Sequence, residues 1–142
     1  MICADSDYFL LELKPSLIPG AGLGVFAKAD IDAGIILAEY RGAVFLSELE
    51  SKINKLNNKC LRINNDSFIA GTNCVASTIN DIIDLEESKK NKEFIKHKDK
   101  DYNCMFQRTY SKMFVVSIKP IKEGEELYID YGKNYWKYYI MN

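Results

Sequence analysis

With 142 residues, 47% of them hydrophobic and 27% charged, the chain has the make-up of one globular domain that buries its own core. A net charge of −1 excludes a broad nucleic-acid footprint and is compatible with an acidic cleft that receives a lysine-rich peptide. No apolar stretch is long enough to span a bilayer, and Asp5 and Asp7 interrupt any signal-peptide pattern over Met1–Leu10. In chain order, strands are expected over Tyr8–Lys14, over Val25–Ala27 and, after a turn at Asp30–Gly34, over Ile35–Tyr40. Ser47-Glu48-Leu49-Glu50 has the form of a capping box and predicts a helix with Leu49, Ile53 and Leu56 on one stripe. Leu61–Ile63 and Phe68–Ala70 flank Asn64-Asn65-Asp66, which predicts a hairpin, and Cys74–Ile79 suggests a short helix.

The second half divides into three stretches. Residues Asp84–Asp101 are dominated by Lys, Glu and Asp and read as a solvated helix or flexible surface loop, an insertion whose shortening the fold would tolerate. Its His97, the sole histidine, is expected to be exposed. Met113–Ile118 is an apolar strand, and a turn at Gly124 separates it from a second run carrying Tyr128 and Tyr131, so Tyr131 stands where a strand ends. Asn134-Tyr135-Trp136-Lys137-Tyr138-Tyr139 is densely aromatic and predicts a C-terminal segment docked on the core. No linker or repeat divides the chain. Many short strands with few helices give one domain, residues 1–142, mainly β with small helical insertions.

Cys3, Cys60, Cys74 and Cys104 lack paired spacing and read as reduced, packed thiols, which points to cytosol or nucleus rather than secretion. Four scattered cysteines and one histidine supply no metal-ligand spacing, so no metal is expected. A single histidine inside the charged stretch also argues against Ser-His-Asp or Cys-His catalysis. Gly22-Leu23-Gly24 runs into Val25-Phe26-Ala27, a strand, and lacks the third glycine and following helix of a dinucleotide site. Glycines that open a strand instead let backbone approach a ligand closely. Alone, Glu39-Tyr40-Arg41-Gly42 is an edge-strand tyrosine before a glycine turn, and the Tyr128/Tyr131 stretch is a hairpin.

In combination and in this order, these motifs resemble those of the SET-domain protein lysine methyltransferases. The matching runs are Gly22-Leu23-Gly24, Tyr40-Arg41-Gly42, Asn80 with Asp81, and Glu126-Leu127-Tyr128-Ile129-Asp130-Tyr131-Gly132. Family members carry Asn-His-Ser-Cys shortly followed by Pro-Asn, whereas here Asp81 stands at the histidine and Ile83 at the cysteine, and the charged insertion precedes Tyr102-Asn103-Cys104. The lost cysteine, with none after Cys104, implies a zinc-free variant of the family.

The resemblance implies a SET fold whose C-terminal segment threads beneath another loop in a pseudoknot, with the aromatic residues 133–142 as a lid. It implies S-adenosylmethionine as cofactor, held by Gly22, Leu23, Gly24, Asn80, Asp81, Tyr131 and Trp136, with Asp81 placing a negative charge near the adenosine. Tyr131 and Tyr40 are the implied catalytic residues. Tyr40, Ile129, Tyr131 and Tyr135 are implied to form the lysine channel, with Tyr102, Phe106 or Tyr110 available to fill it. Either Trp136 or Tyr135 closes the lid. Ile129, where many members have Phe or Tyr, leans towards multiple methylation. The implied substrate is a lysine-bearing protein, a histone tail above all, and the implied place the nucleus. The other reading is a SET-like module that binds a peptide or partner without turnover.

Overall fold

The structure, a computed structural model, describes residues 10–49, 52, 60–64, 66–71 and 74–140. Alternation sets the first strand: in β1 (Leu11–Pro15) Leu11 turns to the core while Glu12 and Lys14 pair on the outside at 3.2 Å. β1 runs antiparallel to β2 (Leu23–Ala27), where Val25 and Ala27 join the core and buried Phe26 has Lys14 Nζ over its ring at 5.1 Å. β3 (Ile36–Glu39), β8 (Lys112–Ser117) and β7 (Cys104–Thr109) form a second sheet in the order β3-β8-β7. Central β8 contributes Met113, Val115 and Val116 to the buried residues.

A third sheet has the order β4-β6-β5, from β4 (Gly42–Leu46), β6 (Ser67–Gly71) and β5 (Cys60–Arg62). Asn64 makes the expected β5–β6 turn by accepting backbone N–H bonds from Asp66 (2.8 Å) and Ser67 (3.0 Å) through Oδ1. The predicted capping-box helix begins as a 3-10 turn, Ser47–Leu49, and its remaining stripe residues, Ile53 and Leu56, lie outside the described residues. The short helix expected at Cys74–Ile79 is a 3-10 turn over Val75–Thr78.

Residues 125–129 do not return along β8 as the second arm of a hairpin. Their backbone bonds instead go to three distant segments. Leu127 N donates to Val25 O and Ala27 N to Glu125 O; Ile129 N donates to Asn80 O; Asn103 N and Cys104 N donate to Tyr128 O. Asn103 adds two side-chain bonds to the same run, Nδ2 to Glu126 O at 2.9 Å and Tyr128 N to Oδ1 at 2.8 Å. This is the knot-like crossing of the C-terminal segment, and it carries the chain to Tyr131 with its backbone polar groups satisfied.

The charged stretch takes the helical of its two expected forms, largely exposed but anchored to the fold at its base. Ile83 bridges Lys96 in antiparallel fashion, with Asp84 N donating to Ile95 O and His97 N to Ile82 O, so the insertion closes on its own base. Between these arms lies the insertion helix, Leu85–Asn91, capped by Asp84 accepting from Glu87 N and ended by Lys92 in the left-handed region (φ 55°). Ser88, 0% exposed, donates to Ile95 O at 3.2 Å and accepts from Ile95 N at 2.9 Å. The charges fall on the outer face, which is why the composition looks like a loop. The insertion helix packs against the C-terminal helix, Lys133–Ile140, whose Ile140 is fully buried.

Candidate active site

A cleft of about 1210 Å³ lies between the loop 18–23, the turn 76–81, the base of the insertion and the C-terminal helix. Its aromatic wall holds Tyr40, Phe106, Tyr131, Tyr135 and Trp136, and its polar wall holds Asn80, Asp81, Asp84, Glu86 and His97. Tyr131 is the hinge between them. Its hydroxyl donates to the Ile79 carbonyl, its ring stacks on Trp136 at 5.8 Å and 8°, and Tyr135 meets it edge-on at 4.9 Å. Tyr40, at the end of β3, has its N–H bonded to Met113 O and its ring edge-on to Phe106 at 5.8 Å. Burial pushes the phenols of Tyr131 and Tyr40 well above the ordinary tyrosine range, so both stay protonated at any physiological pH.

The two glycines are needed for different reasons. Gly22 has φ +75°, a conformation that favours glycine, and it bends the loop so that Ser16 N bonds Gly22 O at 2.8 Å. Gly24 has no such φ, but a Cβ there would meet Glu126 Oε2 at 2.2 Å. Neither glycine lines the cleft; Leu23, between them, does.

Glu126, 3% exposed, is a residue the sequence reading assigned no role. Its carboxylate accepts from Ser16 Oγ (2.6 Å), Leu17 N (2.9 Å), Tyr128 OH (3.0 Å) and Asn80 Nδ2 (3.4 Å), tying the glycine loop to the crossing. A glutamate opening the apolar run Leu127–Ile129 was the available signal.

Asn80 Nδ2 also donates to Leu23 O at 3.0 Å. Its Oδ1 has no protein partner among the described residues and is available to a ligand in the cleft that Asn80 lines. Asp81, on the polar wall of the cleft, is 5% exposed and accepts from protein groups on both carboxylate oxygens.

Ile129, expected beside the substrate amine, is 0% exposed in the core with Ile79 and Cys104, because the crossing turns its side chain inward. Tyr135 and Trp136, the two candidates for the lid, both line the cleft. Of the three candidate channel fillers, Phe106 lines the cleft, Tyr102 bonds Asp81, and Tyr110 sits 92% exposed at the β7–β8 turn. His97 is half-buried rather than exposed, its Nδ1 3.7 Å from Asp84 Oδ2 at the cleft wall. Cys74 and Cys104 are buried thiols outside any disulfide.

The SET domain model matches residues 22–132. Histone-lysine N-methyltransferase SETD7 of Halocynthia roretzi is 30% identical over 128 residues, which cover 86% of this chain and 31% of that protein. The chain therefore spans about a third of the length of that relative. With its model matched over most of the chain, the family is shown: the chain belongs to the SET domain family.

Proposed function

We propose that the protein transfers a methyl group from S-adenosylmethionine to a lysine side chain of another protein. The observation that carries this reading is Tyr131, held by its hydroxyl on the Ile79 carbonyl and by its ring on Trp136, in a cleft walled by Tyr40, Phe106 and Tyr135. When bound, S-adenosylmethionine supplies a methyl activated by a sulfonium.

The chain's residues fit such a ligand. Asn80 Oδ1 can accept from its ammonium, Ala21 and Leu23 line the cleft, and the Trp136 indole offers a flat apolar face. The protein's other tasks are a neutral amine and a fixed line of attack. The aromatic wall excludes water from the incoming ammonium and so lowers its pKa. Because Tyr131 donates its own proton to Ile79, its oxygen is left to accept an N–H of the lysine and align the nitrogen lone pair. The lysine proton leaves to water, and no acidic or basic side chain is needed to take it.

A histone tail is the proposed substrate, and the nucleus the place, on the strength of the activity named for the SETD7 relative. The lean towards multiple methylation rested on Ile129 and loses its basis now that Ile129 lies in the core. A binding module without turnover is the alternative, supported by Asp81 at the usual histidine and by the third motif that the insertion breaks. With that carboxylate engaged by protein donors, no charge is aimed at a ligand, and the support weakens. Calorimetric titration with S-adenosylmethionine separates the two. Saturable binding, weakened at least tenfold in Asn80→Ala, is expected; no binding by the wild-type chain would leave only the module.

A further inference from the structure

Asp81 brings together parts of the chain that are far apart in sequence. Oδ1 accepts from Ile82 N at 2.6 Å and from the Tyr102 hydroxyl at 2.6 Å; Oδ2 accepts from Tyr131 N at 2.8 Å and from the Trp136 indole Nε1 at 2.7 Å. A carboxylate offers about four lone-pair sites, and all are used. The side chain is also 5% exposed, so no oxygen is left for a ligand. Tyr102 is the residue on which the insertion rejoins the fold, Tyr131 is the proposed catalytic tyrosine, and Trp136 belongs to the C-terminal helix.

We infer that Asp81 is a positioning residue, a latch whose carboxylate fixes the Tyr131 backbone and shuts the aromatic helix onto the cleft. Two charge-assisted bonds on one oxygen set the spacing at which the Tyr131 and Trp136 rings stack, 5.8 Å apart. The lid is thereby built closed by the protein's own groups. The donors around the carboxylate supply the electrostatic balance for its charge, which explains how aspartate is accommodated there. The consequence for catalysis rests on the methyltransferase reading above; the latch itself does not.

Trp136 is the only tryptophan of the chain, so its indole reports the latch alone. In the wild-type protein, NMR should show one downfield indole N–H resonance, exchanging with solvent at least tenfold more slowly than an exposed indole. Exchange at the free-indole rate would overturn the latch without recourse to any variant. In Asp81→Asn the resonance should move upfield, acrylamide quenching of Trp136 fluorescence should at least double, and kcat should fall at least tenfold. Affinity for S-adenosylmethionine should change much less. The opposite pattern, weaker cofactor binding with the Trp136 resonance unmoved, would make Asp81 a ligand contact and overturn the proposal. Should no variant or wild-type protein transfer methyl groups, the proposed function fails, while the resonance and quenching still decide the latch.

Discussion

Glu126 and Gly24 are matched side chain to backbone, and that match is open to test. An alanine at 24 would put its Cβ 2.2 Å from Glu126 Oε2 and 3.2 Å from Ser16 Cβ. The carboxylate cannot swing aside without losing Ser16, Leu17, Tyr128 and Asn80. Gly24→Ala should therefore destabilise the fold by about 1–3 kcal/mol, the usual range for overpacking, read from urea denaturation midpoints. Stability equal to wild type would mean that the carboxylate is not fixed. Tyr131→Phe removes the hydroxyl on Ile79 and keeps the ring on Trp136. It should leave the fold and cofactor affinity intact and lower kcat at least tenfold, about 1.4 kcal/mol of transition-state stabilisation. Residue identities such as Tyr40, Tyr131 and Trp136 were legible because each sits in a motif. Their partners were not. Asp81 meets Tyr131 and Trp136 across sequence separations of 50 and 55, which no local pattern encodes. For the same reason Ile129 could be placed in the motif but not in the core.

Among the elements, the insertion diverges most from its composition. Its helix is short, but Asp84 caps it, Ser88 ties it to Ile95, and it buttresses the C-terminal helix. Deleting Glu86–Lys98 should thus lower the melting temperature and loosen the aromatic helix, raising acrylamide quenching of Trp136. A deletion variant with wild-type melting and quenching would show that the insertion is dispensable. A milder probe is Ser88→Ala, which leaves the half-buried Ile95 N–H without its acceptor while Ile95 O keeps its bond from Asp84 N, and should cost about 1–3 kcal/mol. β1, β2, β3, β8 and the β5–β6 hairpin were legible from alternation, apolar runs and the Asn64 turn. β4 and β7 were not, because each is an edge strand with mostly exposed side chains, and pairing with β6 and β8 is what makes them strands. The helix in the insertion was one of its two expected forms; what its charges did not reveal was the buried Ser88 that anchors it.

The fold as a whole depends on a buried crossing, and its core makes stability sensitive to alkali. Burial pushes the Cys104 thiol from 9.0 up to about 12, and burial likewise raises the phenols of Tyr40 and Tyr131. A raised native pKa gives stability that is complete below the unfolded value and lost as pH rises towards the native one. The denaturation midpoint should accordingly hold steady to about pH 9 and fall between 9.0 and about 12, less steeply in Cys104→Ala. A midpoint independent of pH over that window would mean that the thiol is reached by solvent. Topology was legible only through the family resemblance. Sequence spacing predicts a hairpin at residues 113–131, and what defeats it is the bonding of residues 125–129 to Val25, Ala27, Asn80 and Cys104. These same bonds place Tyr131 at the cleft, so the chemistry depends on the crossing. The most direct measurement of that chemistry is mass spectrometry of lysine-bearing histone peptides incubated with the protein and S-adenosylmethionine. Mass gains of whole methyl groups on lysine, strongly reduced with Tyr131→Phe, are predicted; unmodified peptides with the wild-type protein, or equal gains with Tyr131→Phe, would contradict it.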